Sequence, residues 1–164
     1  MTIFKYAAPD LLDKDLVFDF IWFYSVFECA LKQEGYLKSQ KGIANADWKK
    51  FTIDIKDSFS KIEKDSFKKA VEYISENPPK QQYIQYSKLK WRNLNIKDKF
   101  SNEERVLLIV KTVRNNLFHG GKYQEGQILE VERSSELINA ALEILLGCVS
   151  LHKGLTEKLE KYAV

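Results

Sequence analysis

Residues 101–121 read SNEERVLLIVKTVRNNLFHGG, and this stretch predicts a helix with a defined start and end. Ser101 and Glu104 have the spacing of a capping box, which satisfies the first amides of a helix. Apolar residues repeat at three- and four-residue steps: Val106, Val110, Val113 and Leu117. The glycine pair after His119 provides the left-handed conformation that commonly ends a helix. We therefore predict a helix from Ser101 to His119 that is buried along one side.

Apolar periodicity predicts other helices on both sides of this segment. Their approximate bounds are 9–37, 48–62, 66–76 and 134–151. Asp47 is the expected N-cap of the second helix, and the pair Pro78 and Pro79 ends the third. The last helix is expected to turn these residues inward: Leu137, Ala141, Ile144, Leu145 and Cys148. The tail to Val164 is expected to extend it.

Basic and aromatic residues interleave in KQQYIQYSKLKWRNLNIKDK, residues 80–99. The alternation predicts extended or irregular structure, and it fits a short hairpin and a loop equally. Single-stranded nucleic acid offers phosphates and stackable bases to such a segment. The candidate RNA-binding residues here are Lys88, Lys90, Trp91 and Arg92. A solvated connector whose aromatic rings pack on the helices explains the pattern equally well.

Length and composition predict one all-α domain over residues 1–164, a bundle of four to five helices with an irregular basic insertion at about 80–100. A net charge of +3 does not by itself indicate nucleic-acid binding. Two cysteines without CxxC spacing and two histidines make a zinc site improbable, so we expect neither metal nor cofactor. We expect no transmembrane helix, no membrane partner and a cytoplasmic location.

Residues that could take part in catalysis are most concentrated in VRNNLFHGGK, residues 113–122. It places Arg114, Asn115 and His119 close together at a helix end, where the helix dipole favours a protonated histidine. Bare glycine backbone then allows a phosphate to approach, and Lys122 is added as an RNA-binding candidate. A helix-capping cation with a surface ion pair is the alternative explanation of the same residues.

RNNLFH, residues 114–119, resembles the R-polar-x-x-x-H motif of the HEPN superfamily (higher eukaryotes and prokaryotes nucleotide-binding). Other segments look like a stand-alone prokaryotic branch associated with plasmids and defence loci: 22–36, 46–48, 77–82 and 104–123. The resemblance implies an all-α fold, a homodimer with the active site at its interface, and metal-independent endoribonuclease activity. It also implies a toxin or anti-phage role, with an antitoxin or defence-system partner.

The resemblance assigns a role to each motif residue. His119 is the implied general acid, and Arg114 the implied phosphate ligand that stabilises charge in the transition state. Asn115 is expected to orient the histidine or a phosphate oxygen. Glu28 is the expected supporting acid, paired with Arg114 or His119, whereas an ordinary pair with Lys32 is the alternative.

Three hypotheses follow from these patterns. The first is a HEPN-type ribonuclease that cuts RNA by attack of the 2′-hydroxyl. The second is a non-catalytic module of the same fold that binds RNA, nucleotide or a partner protein. The third is a purely structural helical dimer that associates through its aromatic first helix.

Overall fold

The computed structural model describes residues 12–118, 123–124, 127–128 and 131–162. Helices dominate this part of the chain: α1 Lys14–Gln33, α2 Trp48–Phe59, α3 Asp65–Glu76, α4 Asn102–Phe118, α5 Val131–Val149 and α6 Lys153–Glu160. Two antiparallel hairpins complete it: β1 Lys80–Gln85 with β2 Lys88–Asn93, and β3 Tyr123–Gln124 with β4 Gln127–Ile128. The fold is mainly α, which agrees with the predicted all-α class except for the two hairpins.

The helix α1 is shorter than predicted at its carboxyl end. Asp13 caps its start, because its Oδ1 accepts the amides of Asp15 (2.9 Å) and Leu16 (3.2 Å). The helix ends at Gln33 rather than Leu37, since Gly35 adopts φ +83° and the Tyr36 amide turns back to the Leu31 carbonyl (3.0 Å). The start predicted at residue 9 lies outside the described residues.

The starts of α2 and α4 follow the predicted caps. Asp47 Oδ1 accepts the Lys50 amide (3.1 Å), and the Ser101 amide donates to Glu104 Oε2 (3.0 Å). The helix α2 ends at Phe59, three residues before the predicted position, where the chain tightens into a turn. His119, the predicted last residue of α4, lies outside the described residues.

The prediction of four to five helices is wrong, because the carboxyl-terminal tail forms a separate sixth helix among the described residues. The axes of α5 and α6 differ by 112°. His152 is the N-cap of α6, because its Nδ1 accepts the Leu155 amide (3.2 Å). The fully buried Leu155 anchors α6 to the core. No single helix in the described ranges is long and apolar enough to cross a bilayer.

Residues 80–93 of the insertion predicted at about 80–100 are extended and form the regular hairpin β1–β2, so of the two forms that the sequence left open the hairpin is confirmed and the irregular loop is wrong there. Its register places Tyr83 opposite Lys90 and Gln82 opposite Trp91. The two tip residues Tyr86 (φ 50°) and Ser87 (φ 58°) adopt the left-handed geometry of a two-residue hairpin turn. The Asn116 amide of α4 donates to the Lys80 carbonyl (2.8 Å) and ties the hairpin to the helices.

The apolar core lies between the helices α1 to α5. Its largest fully buried side chains include Phe20, Phe27, Phe51, Leu107, Ile144 and Leu145. All of the residues predicted to point inward from the last helix are buried, which confirms its orientation. Because α4 packs on α2 and α3 while its last turn reaches α1, it carries the predicted motif to a junction of several elements.

Candidate functional site

Arg114 extends from the last turn of α4 across two aromatic rings. Its guanidinium carbon lies 5.4 Å from the centre of the Tyr24 ring on α1 and 4.2 Å from that of Phe118. The negative faces of aromatic rings attract such a cation. Asn115 is exposed, and its Oδ1 accepts a hydrogen bond from Arg114 Nη1 (3.2 Å). The fold therefore holds the guanidinium in one place and leaves Asn115 beside it.

The charge of Arg114 lacks a carboxylate partner within the described part of the chain. No Asp or Glu oxygen there lies within 4 Å of the guanidinium. The Nε atom is buried and has no hydrogen-bond acceptor. Buried polar atoms without a partner are rare, and a charged one costs about 1–3 kcal/mol or more. Arg114 therefore carries a positive charge that no anion among the described residues neutralises.

A second cation, Lys111, lies one helical turn earlier on α4. Its ammonium nitrogen is 5.7 Å from the centre of the Trp48 ring, and Trp48 stacks on Tyr24 with ring centres 5.4 Å apart. Burial lowers the pKa of Lys111, the nearby cation Lys38 lowers it further, and Glu28 opposes this. We call Tyr24 and Trp48 the aromatic platform: it supports two neighbouring cations.

Glu28 lies at the edge of the aromatic platform, but not in the predicted ion pair with Arg114. Its Oε1 accepts the indole N–H of Trp48 (3.1 Å). Neither Arg114 nor Lys32 is among its ion-pair partners within 4 Å, so the predicted pair with Arg114 and the alternative pair with Lys32 are both absent from the described residues. An indole N–H inside a partly buried cluster needs an acceptor, and Glu28 supplies it. Its expected pairing with His119 falls outside the described residues.

Two substitutions at Glu28 separate its hydrogen bond from its charge. We expect Glu28→Ala to lower the free energy of unfolding by about 1–3 kcal/mol, because the Trp48 indole loses its acceptor. Glu28→Gln keeps an acceptor oxygen and should lower it by less than about 1 kcal/mol. Urea unfolding of both variants measures the difference. Equal losses in the two variants would show that the carboxylate charge, not the hydrogen bond, stabilises the cluster.

The burial of Tyr24 also reflects this cluster. Desolvation raises the pKa of its hydroxyl well above the ordinary value, the nearby Glu28 raises it further, and Arg114 opposes the increase. The hydroxyl therefore stays protonated at all physiological pH values. Tyr24 contributes an uncharged ring face to the platform and no anion that would neutralise Arg114.

The hairpin β1–β2 places three of its basic residues on one face. Side chains alternate along a strand, so the register puts Lys88, Lys90 and Arg92 on one face and Trp91 on the other. Arg92 lies over the Tyr83 ring (5.1 Å to its centre), and Lys90 Nζ donates to Gln85 Oε1 (2.9 Å). Three of the four predicted hairpin residues therefore lie on one face of the hairpin. The fourth, Trp91, lies on the other face with Ile84 and Leu89.

Two predicted site residues, His119 and Lys122, lie outside the described residues. Three residues of the observed cluster were not predicted from the sequence as site residues: Tyr24, Trp48 and Lys111. A signal existed for Lys111, which precedes Arg114 by three residues and so lies on the same side of α4. No local pattern signals the contact of Trp48 with Tyr24, since it joins two helices.

Comparisons with protein-family models, with curated proteins and with solved structures find no match for this chain. The functional interpretation therefore rests on the residues and contacts described above.

Proposed function

We propose that the protein is a HEPN-type, metal-independent endoribonuclease in which Arg114 and His119 act on one RNA phosphodiester. The observation that carries the proposal is the half-buried Arg114, whose guanidinium lies over the rings of Tyr24 and Phe118 with no acid partner among the described residues. Arginine binds phosphate oxygens through its planar set of N–H donors. A phosphodiester would supply the anion that this charge lacks among the described residues.

The chemistry assigned to the two residues is cleavage by the ribose of the substrate itself. The 2′-oxygen attacks the adjacent phosphorus and gives up its proton to solvent, while the bond from phosphorus to the 5′-oxygen breaks. His119 donates a proton to the leaving 5′-oxygen, and Arg114 stabilises the charge that develops on the phosphoryl oxygens. The products are a 2′,3′-cyclic phosphate and a 5′-hydroxyl. DNA lacks the 2′-hydroxyl, so it is not a substrate.

We further propose that the enzyme acts in the cytoplasm as a toxin or anti-phage effector, restrained by an antitoxin or a defence-system partner. The motif resemblance supports this role.

A homodimer is part of the proposal, and the surface of α1 supports it. Phe18 and Trp22 are 64% and 55% exposed and stack on each other in parallel, 6.4 Å between ring centres. Exposed aromatic pairs of this kind are characteristic of interfaces. The exposed pair and the buried Tyr24 lie about 140° apart around the axis of α1, so a second copy bound there would pack on the side of α1 opposite the core.

Replacing both aromatic residues tests the dimer. We expect Phe18→Ser with Trp22→Ser to give a monomer in sedimentation, because the double variant removes the exposed aromatic pair. Ile53→Ser removes another exposed apolar residue, 60% exposed on α2, and serves as the matched control. A dimer that persists in the double variant would contradict an interface on α1.

The basic face of the hairpin is proposed to bind the RNA backbone. Replacing Lys88, Lys90 and Arg92 by Gln should weaken RNA binding and flatten its salt dependence by about 2 in log–log slope, since single-strand phosphate contacts contribute about 0.7 each. Fluorescence anisotropy at several salt concentrations measures this. A charge-matched control replaces three exposed lysines elsewhere: Lys56, Lys69 and Lys161. An unchanged slope in the hairpin variant would identify the hairpin as a solvated connector.

The function itself is tested with labelled mixed-sequence RNA in excess EDTA, beside DNA of the same sequence and the His119→Ala protein. We expect the wild-type protein to cut RNA alone, to leave cyclic phosphate ends, and to lose this activity in His119→Ala. RNA binding without cleavage would instead support the non-catalytic module. Neither binding nor cleavage would support the structural dimer.

A further inference from the structure

An open cleft lies between α2, α4 and the chain that precedes α4, and it carries a surplus of positive charge. It has a volume of about 500 Å³, and its rim holds Lys49, Lys97, Lys99 and Lys111. We call it the lysine cleft. No carboxylate of the described residues lies within 4 Å of any of these four ammonium groups. Four neighbouring cations without such partners repel one another.

The acidic residue that lines the lysine cleft is already engaged elsewhere. Glu104 Oε2 accepts hydrogen bonds from the Ser101 amide (3.0 Å) and the Ser101 hydroxyl (3.2 Å), which start the helix α4. Moving this carboxylate toward a lysine would break the cap and cost about 1 kcal/mol. The surplus of positive charge in the lysine cleft is therefore built into the fold.

The floor of the lysine cleft is apolar. Phe100, Leu107 and Leu108 contribute to it together with Trp48 of the aromatic platform. An apolar floor under a cationic rim suits a ligand that joins a flat, weakly polar ring to a phosphate. Its volume lies within the range of about 300–1,000 Å³ that small-molecule sites occupy, which is sufficient for one nucleotide unit.

The position of Lys111 connects the lysine cleft to the candidate active site. Lys111 contributes to both, and it lies three residues before Arg114, a rise of about 4.5 Å along α4. Burial is the main cause of the lowered pKa of Lys111, and repulsion from the neighbouring cation Lys38 lowers it further. A phosphate in the cleft would relieve that repulsion.

We propose that the lysine cleft is a second phosphate-binding site, separate from the one at Arg114. The phosphate belongs either to the RNA strand that continues past Arg114 or to a free phosphorylated small molecule. This binding site does not require the cleavage proposed above.

Calorimetric titrations distinguish the two sources. The probes are inorganic pyrophosphate, a nucleoside diphosphate and a short 2′-O-methyl RNA, which lacks the free hydroxyl needed for cleavage. Each is titrated into the full chain, and into its Arg114→Met variant to remove the contribution of the first site. The test variant carries Lys97→Gln and Lys99→Gln, both in an exposed loop. The charge-matched control carries Lys69→Gln and Lys161→Gln.

We expect the test variant to bind at least about tenfold more weakly than the control, with and without Arg114. If the test variant loses affinity for RNA, and the log–log salt slope of RNA binding is flatter by about 1.4 for two missing contacts, the RNA strand is the source of the phosphate. A loss confined to pyrophosphate and the nucleoside diphosphate identifies a free ligand. Equal binding by the test and control variants, or no saturable binding by the wild-type chain, would overturn the proposal. Because the Arg114→Met background cannot use the first site, failure here is distinguishable from failure of the proposed nuclease.

Discussion

Replacing Arg114 by methionine should reduce the rate of RNA cleavage about 1,000-fold and leave the free energy of unfolding unchanged or slightly higher. The loss in rate follows from removing the donor that stabilises the developing charge on the phosphate. The stability follows from the environment of the side chain. Methionine can fill the space between Tyr24 and Phe118, and it removes a buried Nε that has no acceptor among the described residues.

Two opposing contributions to stability are expected to nearly cancel in this variant. The two ring contacts of the cation contribute about 0.5–2 kcal/mol, and the unsatisfied buried donor costs about 1–3 kcal/mol. A substitution that removes the function of a protein but not its stability is typical of a binding or catalytic site. Thermal unfolding and single-turnover cleavage on the same preparations measure both quantities.

Arg105 on the same helix provides the matched control. Its Nε donates to the Phe100 carbonyl (3.1 Å) and its Nη2 to the Asp98 carbonyl (3.0 Å), so it holds the chain that leads into α4. Arg105→Met should lower the free energy of unfolding by about 1–3 kcal/mol and leave cleavage within about threefold of wild type. If instead Arg114→Met destabilises and Arg105→Met does not, Arg114 is a structural residue and the proposed site is wrong.

His119→Ala should reduce cleavage of ordinary RNA about 100- to 10,000-fold, and a change in the substrate should rescue it. General acid catalysis contributes rate factors of this size. In an RNA whose cut bond carries sulfur in place of the 5′-oxygen, the leaving thiolate needs no proton, because thiols are far more acidic than alcohols. We therefore expect His119→Ala to cut this substrate at close to the wild-type rate.

The rescue should be specific to His119. Arg114→Met should remain far slower than wild type on the sulfur substrate, because it lacks charge stabilisation rather than the proton donor. Gel analysis of both substrates with both variants gives the four rates. Failure of His119→Ala to cut the sulfur substrate would remove the assignment of His119 as the donor to the leaving oxygen.

Local sequence patterns predicted the helices well where a cap or a turn residue marks the boundary. Asp47 and Ser101 begin their helices as expected, because capping depends on a side chain and the few amides that follow it. The sixth helix was missed because its start depends on His152, whose ring nitrogen accepts the Leu155 amide. Histidine is not among the favoured caps, so the sequence gives no clear signal there.

The sequence predicted only the part of the candidate site that lies on the single helix α4. Arg114 and Asn115 follow from the motif, and their contact is between adjacent residues. The role of Glu28 required knowledge of which helix lies beside α1. Trp48 begins α2, twenty residues further along, and its indole reaches Glu28 through tertiary packing that no local pattern describes. The sequence identified Glu28 as an acid in need of a partner but not the partner itself.

The central claim is that the protein cuts RNA with the hydroxyl of the substrate, at a phosphate held by Arg114. The most direct test uses an RNA that the protein cuts and a matched strand with one 2′-deoxynucleotide. That nucleotide is the one whose 3′-oxygen carries the phosphate at the cut bond. We predict that the all-ribose strand is cut in excess EDTA and ends in a cyclic phosphate, whereas the substituted strand binds equally well and stays intact at that bond. Cleavage of the substituted strand at the same bond would contradict the account.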